Sequence, residues 1–251
     1  MLAFLSDIHA NTEALTAALA AIDQAGATRL ICLGDIIGYG PEPREVLRTI
    51  MSRCELSLRG NHEEGALGYA SDFNPRARVA IDWTKKQLTP PECPRQESYQ
   101  FWNFLDKLPK THVEGEMLLV HASPKDPIRE YIVPKDAQDR AKLAEWFACM
   151  EAARICFVGH SHVPGVYTES GKYLSPDDVQ GRYRVGAERV IVNIGSVGQP
   201  RDGDPRASCV LYDGQEVRFV RVAYPFEQTM QKIRATKILP EYLAERLAAG
   251  R

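Results

Sequence analysis

Short apolar runs, each leading into a polar motif, recur along the first two-thirds of this chain. Leu2-Ala3-Phe4-Leu5, Leu30-Ile31-Cys32-Leu33, Met117-Leu118-Leu119-Val120 and Ile155-Cys156-Phe157-Val158 are unbroken enough to read as buried strands, and Cys54-Glu55-Leu56-Ser57-Leu58 as a weaker one. Between the first three lie helical patterns. Asn11 is a good N-cap for an Ala-rich helix from Thr12 to Gln24 that Gly26 closes, and Pro41 to Ser52 forms a second, with Glu42 and Glu45 near the positive end of its dipole. Such βαβαβ alternation implies parallel strands with helices on the faces.

The pattern then changes. Ala77–Leu88 and Gln96–Leu108 read as helices separated by Thr89-Pro90-Pro91-Glu92-Cys93-Pro94, so a helical insertion spans roughly 66–110, its aromatic residues serving as packing and its body shaping a substrate mouth. Thr111–Val120 reads as two strands joined at Glu114-Gly115, and Lys135–Met150 as one amphipathic helix. The rest is β-rich: Gly165–Glu169, Arg182–Val185, Arg189–Asn193, Cys209–Tyr212 and Val217–Val222, the last two joined by a hairpin at Asp213-Gly214. Helices near Pro225–Thr236 and Pro240–Ala248 finish a single α/β domain of 251 residues.

The motifs that follow the strands carry the chemistry. They are Asp7-Ile8-His9, Gly34-Asp35, Gly60-Asn61-His62-Glu63, Val120-His121 and Gly159-His160-Ser161-His162. Strand ends are where α/β proteins place reactive groups. Histidines, two aspartates and an asparagine make the ligand set of a site for two transition metals, and imidazole with carboxylate suits Mn²⁺, Fe, Zn²⁺ or Ni²⁺ better than Ca²⁺ or Mg²⁺. Extended Asp7-x-His9 and His160-x-His162 segments would each aim two side chains to one side.

Five such motifs in this order resemble those of the calcineurin-like metallophosphoesterases. The variants Ser6-Asp7-Ile8-His9-Ala10-Asn11 and Gly34-Asp35-Ile36-Ile37-Gly38-Tyr39-Gly40-Pro41, with Asn193-Ile194-Gly195-Ser196-Val197-Gly198-Gln199-Pro200-Arg201, are similar to a bacterial-type branch acting on small molecules. The resemblance implies a four-layer α/β/β/α sandwich of two mixed sheets. It implies one metal on Asp7, His9, Asp35 and His162, and a second on Asp35, Asn61, His121 and His160, with Asp35 as the bridge. Mn²⁺ is the first expectation for both. It further implies a hydroxide between the metals as nucleophile, His62 as general acid, and Asn11, Tyr39 and Arg201 as substrate contacts. Arg201 could equally pair with Asp202 or Asp204, and His112 is expected at the surface.

Here the chain departs from the phosphoprotein phosphatases and symmetrical dinucleoside tetraphosphatases. They carry an arginine shortly after Gly-Asp, whereas Ile36-Ile37-Gly38-Tyr39-Gly40 has none, and the aspartate that partners the general-acid histidine in the phosphatases is replaced near Gly38. A monoester dianion needs more positive charge than a diester monoanion, so a phosphodiester or other small phosphoester, nucleotides included, is the expected substrate. A phosphomonoesterase, a dinucleoside polyphosphate hydrolase and a non-catalytic scaffold on the same fold are the alternatives. Intact ligands and His62 count against the scaffold.

Bulk properties narrow the field further. A net charge of −2 and a pI near 6.3 argue against an extended nucleic-acid surface and hence against a nuclease on polymer ends. No apolar stretch approaches membrane-spanning length, and Met1–Leu5 runs directly into Ser6-Asp7 without a signal-peptide pattern. Six scattered cysteines suggest free thiols in the cytoplasm. A homo-oligomer is left open. Gly195-Ser196-Val197-Gly198 lacks the glycine two before the serine that a nucleophile elbow requires, and Gly34–Gly40 lacks dinucleotide-fold spacing.

Overall fold

The computed structural model describes residues 1–68, 73–91 and 93–251. Its elements in chain order are β1 (Leu2–Leu5), α1 (Thr12–Gln24), β2 (Arg29–Cys32), α2 (Pro43–Arg53), β3 (Leu56–Ser57), α3 (Asn61–Ala66), α4 (Pro75–Leu88), α5 (Arg95–Lys107), β4 (Thr111–Glu114) and β5 (Met117–Val120). After a 3₁₀ turn at Pro134–Gln138 come α6 (Arg140–Cys149), β6 (Ile155–Val158), β7 (Gly165–Thr168), β8 (Tyr173–Leu174), β9 (Arg182–Arg184), β10 (Val190–Asn193), β11 (Ala207–Tyr212), β12 (Glu216–Val222), α7 (Phe226–Ala235) and α8 (Tyr242–Ala249).

Two six-stranded mixed sheets form, in the orders β3-β2-β1-β11-β12-β9 and β4-β5-β6-β10-β7-β8. Strands β1, β2 and β3 are parallel, as are β5, β6 and β10. The reason for four layers lies in the unbroken apolar runs. Alternate residues of a strand face opposite sides. Phe4, Ile31, Leu119, Phe157, Val192 and Val210 face the other sheet and form the central core, with Phe4 and Phe157 stacked at 4.2 Å between ring centroids. Their neighbours Ala3, Leu5 and Cys32 pack outward against Leu15, Leu19, Val46 and Ile50 of α1 and α2. Val120, Cys156 and Val158 do the same against Leu143, Trp146 and Phe147 of α6. A polar residue on either face would break one of these cores, which is why the strands are apolar throughout rather than alternating.

A smaller core joins the insertion to the end of the chain. Ala80 and Trp83 of α4 pack with Ile233 of α7 and Leu243 and Leu247 of α8. Residues 69–72 and Glu92, which belong to the expected insertion and its Pro-rich link, lie outside the described residues.

Several sequence expectations need correction. The expected helix Lys135–Met150 is broken, because Asp139 leaves helical geometry and its carboxylate accepts from Ala141 and Lys142 N–H, capping α6 afresh. Helix α2 starts at Pro43 rather than Pro41; proline at the first helical position is preorganised for it. Strand β8 and helix α3 carry too little periodicity to be read, being two and six residues long. The Asp213-Gly214 hairpin forms as expected: the Asp213 carboxylate accepts from Gln215 and Glu216 N–H. All six cysteines are free, and among the described residues no helix is long and apolar enough to cross a membrane.

Candidate metal centre

The loops leaving the C-terminal ends of β1, β2, β3, β5 and β6 meet where the edges of the two sheets converge. They are laced by backbone hydrogen bonds: Asp7, His9 and Ala10 N–H donate to Gly34, Asp35 and Ile36 carbonyls at 2.9–3.0 Å, and Gly159 N–H donates to His121 O at 2.8 Å. The expected extended Asp7-x-His9 and His160-x-His162 segments do not occur. Asp7, His9, Asp35, His160 and His162 all take left-handed φ between 50° and 61°. Repeated left-handed turns, not strand alternation, therefore bring these side chains together. Such conformations cost an L-residue about 1–3 kcal/mol each and cluster where a site requires them.

The buried side chains fall into two overlapping groups. Asp7, His9, Asp35 and His162 offer ligand atoms that all lie within 4.8 Å of one another, and so do Asp35, His121 and His160. Asn61 joins the second group through Oδ1, 3.2 Å from His121 Nε2. Asp35 belongs to both.

Hydrogen bonding fixes the imidazoles in one protonation pattern. Nδ1 of His9, His121 and His162 donates to the carbonyls of Ile37 (3.2 Å), Leu33 (3.0 Å) and Gln199 (2.5 Å), and Nε2 of His160 donates to Arg129 O (3.1 Å). A ring that donates from one nitrogen presents a lone pair at the other. The lone pairs of His9 and His162 then face each other at 3.1 Å, and those of His121 and His160 at 3.2 Å. Four lone pairs and two carboxylates repel one another unless a cation stands among them. The residues thus fit divalent metal ions, with each imidazole oriented by a backbone carbonyl.

The carboxylates divide their oxygens in the same way. Asp7 Oδ2 accepts from His160 N–H at 3.0 Å while Oδ1 lies 3.1 Å from His162 Nε2. Asp35 Oδ1 accepts from His62 N–H at 2.9 Å while Oδ2 faces Nε2 of His121, His9 and His62 at 3.5, 3.7 and 3.9 Å. Burial opposes ionisation of Asp7 and Asp35, but the surrounding histidines outweigh it and keep both pKa values low. Burial holds His9 and His162 below the usual imidazole range and His160 down to about 3, so these rings stay in the neutral form that ligates metals. Burial acts likewise on His121, yet Asp35 and Asp7 prevail and raise it to about 9. The two carboxylates favour positive charge at that point, whether proton or metal.

His62 sits beside the cluster in an aromatic setting. Its ring lies 4.4 Å from Tyr39, 4.7 Å from His9 and 5.2 Å from Phe73 between centroids. It is buried, its Nδ1 has no hydrogen-bond partner among the described residues, and burial lowers its pKa to about 4.

The three expected substrate contacts part company. Asn11 is turned away: Oδ1 accepts from Ala14 N–H and Thr229 Oγ1, and Nδ2 donates to Gly198 O and Tyr224 Oη. With every polar atom engaged it is a cap and a tether for the C-terminal region, which corrects the expectation. Tyr39 lines the wall beside His9 and His62. Arg201 donates to Gln199 Oε1 and lies 6.0 Å from the Tyr39 ring centroid, while Asp202 and Asp204 pair instead with Arg221 and Arg206. The loop Ser196–Arg201 is stitched beneath the first motif: Ser196 Oγ donates to Asp7 O, and Gly198 approaches so closely that a Cβ there would stand 1.7 Å from Ile8 O. His112, on β4 beside Glu114, is part-exposed and belongs to neither group.

Sequence reasoning assigned no role to Glu63. Its buried carboxylate accepts from Asp35, Ile36, Ile37 and Gly60 N–H at 2.8–3.1 Å, clamping the loop after β2 to the start of α3. The signal was present: an acid three residues after a helix N-cap. A cavity of about 230 Å³ opens above Asn61 and His160, lined also by Tyr39, Phe73, Arg129 and Tyr131.

Comparison with known proteins agrees with this geometry. Residues 1–216 match the description of a calcineurin-like phosphoesterase superfamily domain. An uncharacterized protein of Methanocaldococcus jannaschii is 38% identical over 258 residues, covering all of this chain and 98% of the relative. The crystal structure of a metallophosphoesterase from Sphaerobacter thermophilus is similar with a TM-score of 0.83 and 38% identity, over 100% of this chain and 99% of that one. A hypothetical protein from Pyrococcus horikoshii OT3 shares the fold, with a TM-score of 0.79 and 20% identity over 100% and 99% of the two chains.

Proposed function

From the premise that this chain belongs to the calcineurin-like phosphoesterase superfamily, we propose that it is a hydrolase of small phosphoesters that works with two divalent transition metals, Mn²⁺ foremost. The observation that carries the reading is the convergence of four imidazole lone pairs and two carboxylates on two points that share Asp35. Asp7, His9, Asp35 and His162 would hold one ion, and Asp35, Asn61, His121 and His160 the other. When bound, such ions lower the pKa of water and offset charge on phosphate oxygens.

The chain's own residues supply the rest. Asp35 lends one negative charge to both positions and so reduces repulsion between neighbouring cations. His62, anchored by its backbone to Asp35, lies within reach of the cluster without belonging to either group, which suits a donor of a proton from Nε2 to the leaving alkoxide. Gly38 backs onto the far side of His62, where Nδ1 has no hydrogen-bond partner among the described residues. Tyr39 and Phe73 exclude water around it. The absence of arginine from Ile36–Gly40 supports a singly charged phosphodiester over a monoester dianion.

The test is metal content with turnover. Protein loaded with Mn²⁺ should contain two ions per chain and hydrolyse bis(p-nitrophenyl) phosphate. One ion or none at saturation, or no hydrolysis of any phosphoester in a mono- and diester panel, would count against the reading.

A further inference from the structure

A large cavity beside the metal centre is built mainly from segments far apart in the sequence. It encloses about 660 Å³ and is lined by Tyr39, Arg76, Tyr131, Arg201, Tyr242 and Arg246 among others, with no acidic side chain among the described lining residues. Arg76 comes from the first turn of α4, Tyr242 and Arg246 from α8, and Arg201 from the loop after β10. The core that joins α4 to α7 and α8 holds these segments together. The cavity shares Tyr39 and Tyr131 with the smaller one above the metal centre, so the two adjoin. Tyr39 forms the partition, its ring 4.7 Å from His9 on one side and under Arg201 on the other.

Among the described residues no carboxylate side chain pairs with Arg76, Arg201 or Arg246, although most other arginines of the chain have such a partner. Arg201 donates to Gln199 Oε1 and Arg246 Nε to Arg251 O. Arg76 and Arg246 instead lie over the same ring, Tyr242, at 5.1 and 5.9 Å. Arg201 Nε is buried without a hydrogen-bond partner. Burial, and then the proximity of Arg201, lower the pKa of Arg246 to about 10. Three guanidiniums drawn together against their mutual repulsion leave a site complementary to an anion, and guanidinium matches phosphate in shape as well as charge.

Resting on the phosphoesterase reading above, we propose that this cavity binds a second phosphate group of the substrate, so that the preferred substrates carry an anionic group beyond the phosphate that is hydrolysed. The hydrolysed group sits at the metal centre, and the second crosses Tyr39 to Arg76, Arg201 and Arg246. This narrows the substrate class from small phosphoesters in general to those with at least two phosphates.

Two measurements test it. In the Mn²⁺-loaded enzyme, thymidine 5′-(p-nitrophenyl phosphate) is compared with its 3′-phosphorylated counterpart. The leaving group and ester class are identical, and only the second phosphate differs. The 3′-phosphate should raise kcat/KM about tenfold or more, mainly through KM, and the ratio should fall towards one in R246Q and in the exposed-site variant R76Q. Separately, calorimetric titration of inorganic tripolyphosphate into the metal-free full chain in EDTA, where chelation contributes no heat, should show saturable binding that weakens about tenfold or more in R76Q and R246Q. No saturable binding to wild type, or equal binding in the variants, overturns the site even if the hydrolase reading holds. A substrate ratio near one in wild type overturns its service to catalysis. Loss of turnover on both substrates with tripolyphosphate binding intact would instead strike the hydrolase reading and leave the anion site standing.

Discussion

Gly38 is packed against the imidazole of His62 so closely that a Cβ on Gly38 would stand 2.0 Å from His62 Nδ1. Gly38 also has φ +86°, a conformation costly for other residues. The glycine and the ring therefore define each other's place. Gly38→Ala should push the ring away from Asp35 while leaving the metal ligands in position. The expected outcome is a fall in kcat approaching that of His62→Ala, with metal content unchanged. The double variant should be little worse than either single one, since both remove the same ring from the same place. Additive losses in kcat would show that Gly38 acts elsewhere. An arginine at position 38, inviting as a way to install the missing phosphate contact, would displace His62 instead.

His62→Ala itself should separate proton donation from metal binding. The ring belongs to neither ligand group, so two ions per chain should remain by elemental analysis. Turnover of an alkyl ester should fall about 10²-fold or more. For a nitrophenyl ester, whose leaving group scarcely needs a proton, the loss should be much smaller. Equal losses for the two leaving groups would rule out the general-acid role.

Asp35 is the residue whose removal should reach furthest. Its Oδ2 faces three imidazoles within 3.9 Å and its Oδ1 holds the His62 backbone. Asp35→Asn keeps the shape but withdraws the charge that both positions share. Activity should disappear, and most metal should be lost from both positions. Retention of two ions at wild-type affinity would argue that the two positions do not depend on a common bridge.

Much of this arrangement was legible in the sequence because two separate signals coincide there. Strands such as Leu2–Leu5 and Ile155–Val158 are apolar on both faces, as a strand between a sheet and a helix must be, and His, Asp and Asn follow them directly. What could not be read was local backbone geometry. Left-handed φ at Asp7, His9, His160 and His162 leaves no periodicity, so alternation along an extended strand was the natural but incorrect expectation. Asn11 illustrates a second limit: its place in a motif suggested a ligand contact, whereas Ala14, Thr229, Gly198 and Tyr224 take all of its hydrogen-bonding capacity. Arg76 and Arg246 meet only because α4 packs against α8, a contact between residues far apart in sequence that hydrophobic pattern alone does not encode.

Glu63→Gln tests whether the clamp beneath the loop after β2 matters. Four backbone N–H groups point at this carboxylate. An amide of the same size turns two of its own N–H groups towards donors that need acceptors. Burial pushes this carboxyl up to about 7, and hydrogen bonds to a charged group contribute about 1.5–3 kcal/mol, so above that pH losing even one should lower unfolding free energy by about that amount in urea. Asp35 and Asn61 sit at the two ends of the clamp, so metal affinity should weaken as well. A variant with wild-type stability and metal affinity would reduce Glu63 to a bystander.

Tyr39 occupies the wall where related phosphatases would carry an arginine, and this bears on ester class. Its ring, rather than a guanidinium, abuts His9 and His62, and Arg201 is held on the ring's other side by Gln199. On this wall a monoester dianion at the centre would therefore meet Tyr39 beside His9 and His62, with Arg201, whose charge already bears on His9, His62 and His162, behind the ring. A missing charge-assisted contact is worth about 1.5–3 kcal/mol, or about 10–150-fold in relative preference. Bis(p-nitrophenyl) phosphate should accordingly be cleaved with higher kcat/KM than p-nitrophenyl phosphate, both with Mn²⁺ at neutral pH and each divided by its uncatalysed rate. The correction is needed because the leaving group is shared but the intrinsic reactivity of the two esters is not. A clear monoester preference after that division would mean that Arg201 swings across Tyr39 to the metal centre, and would move the assignment to a small-molecule phosphatase.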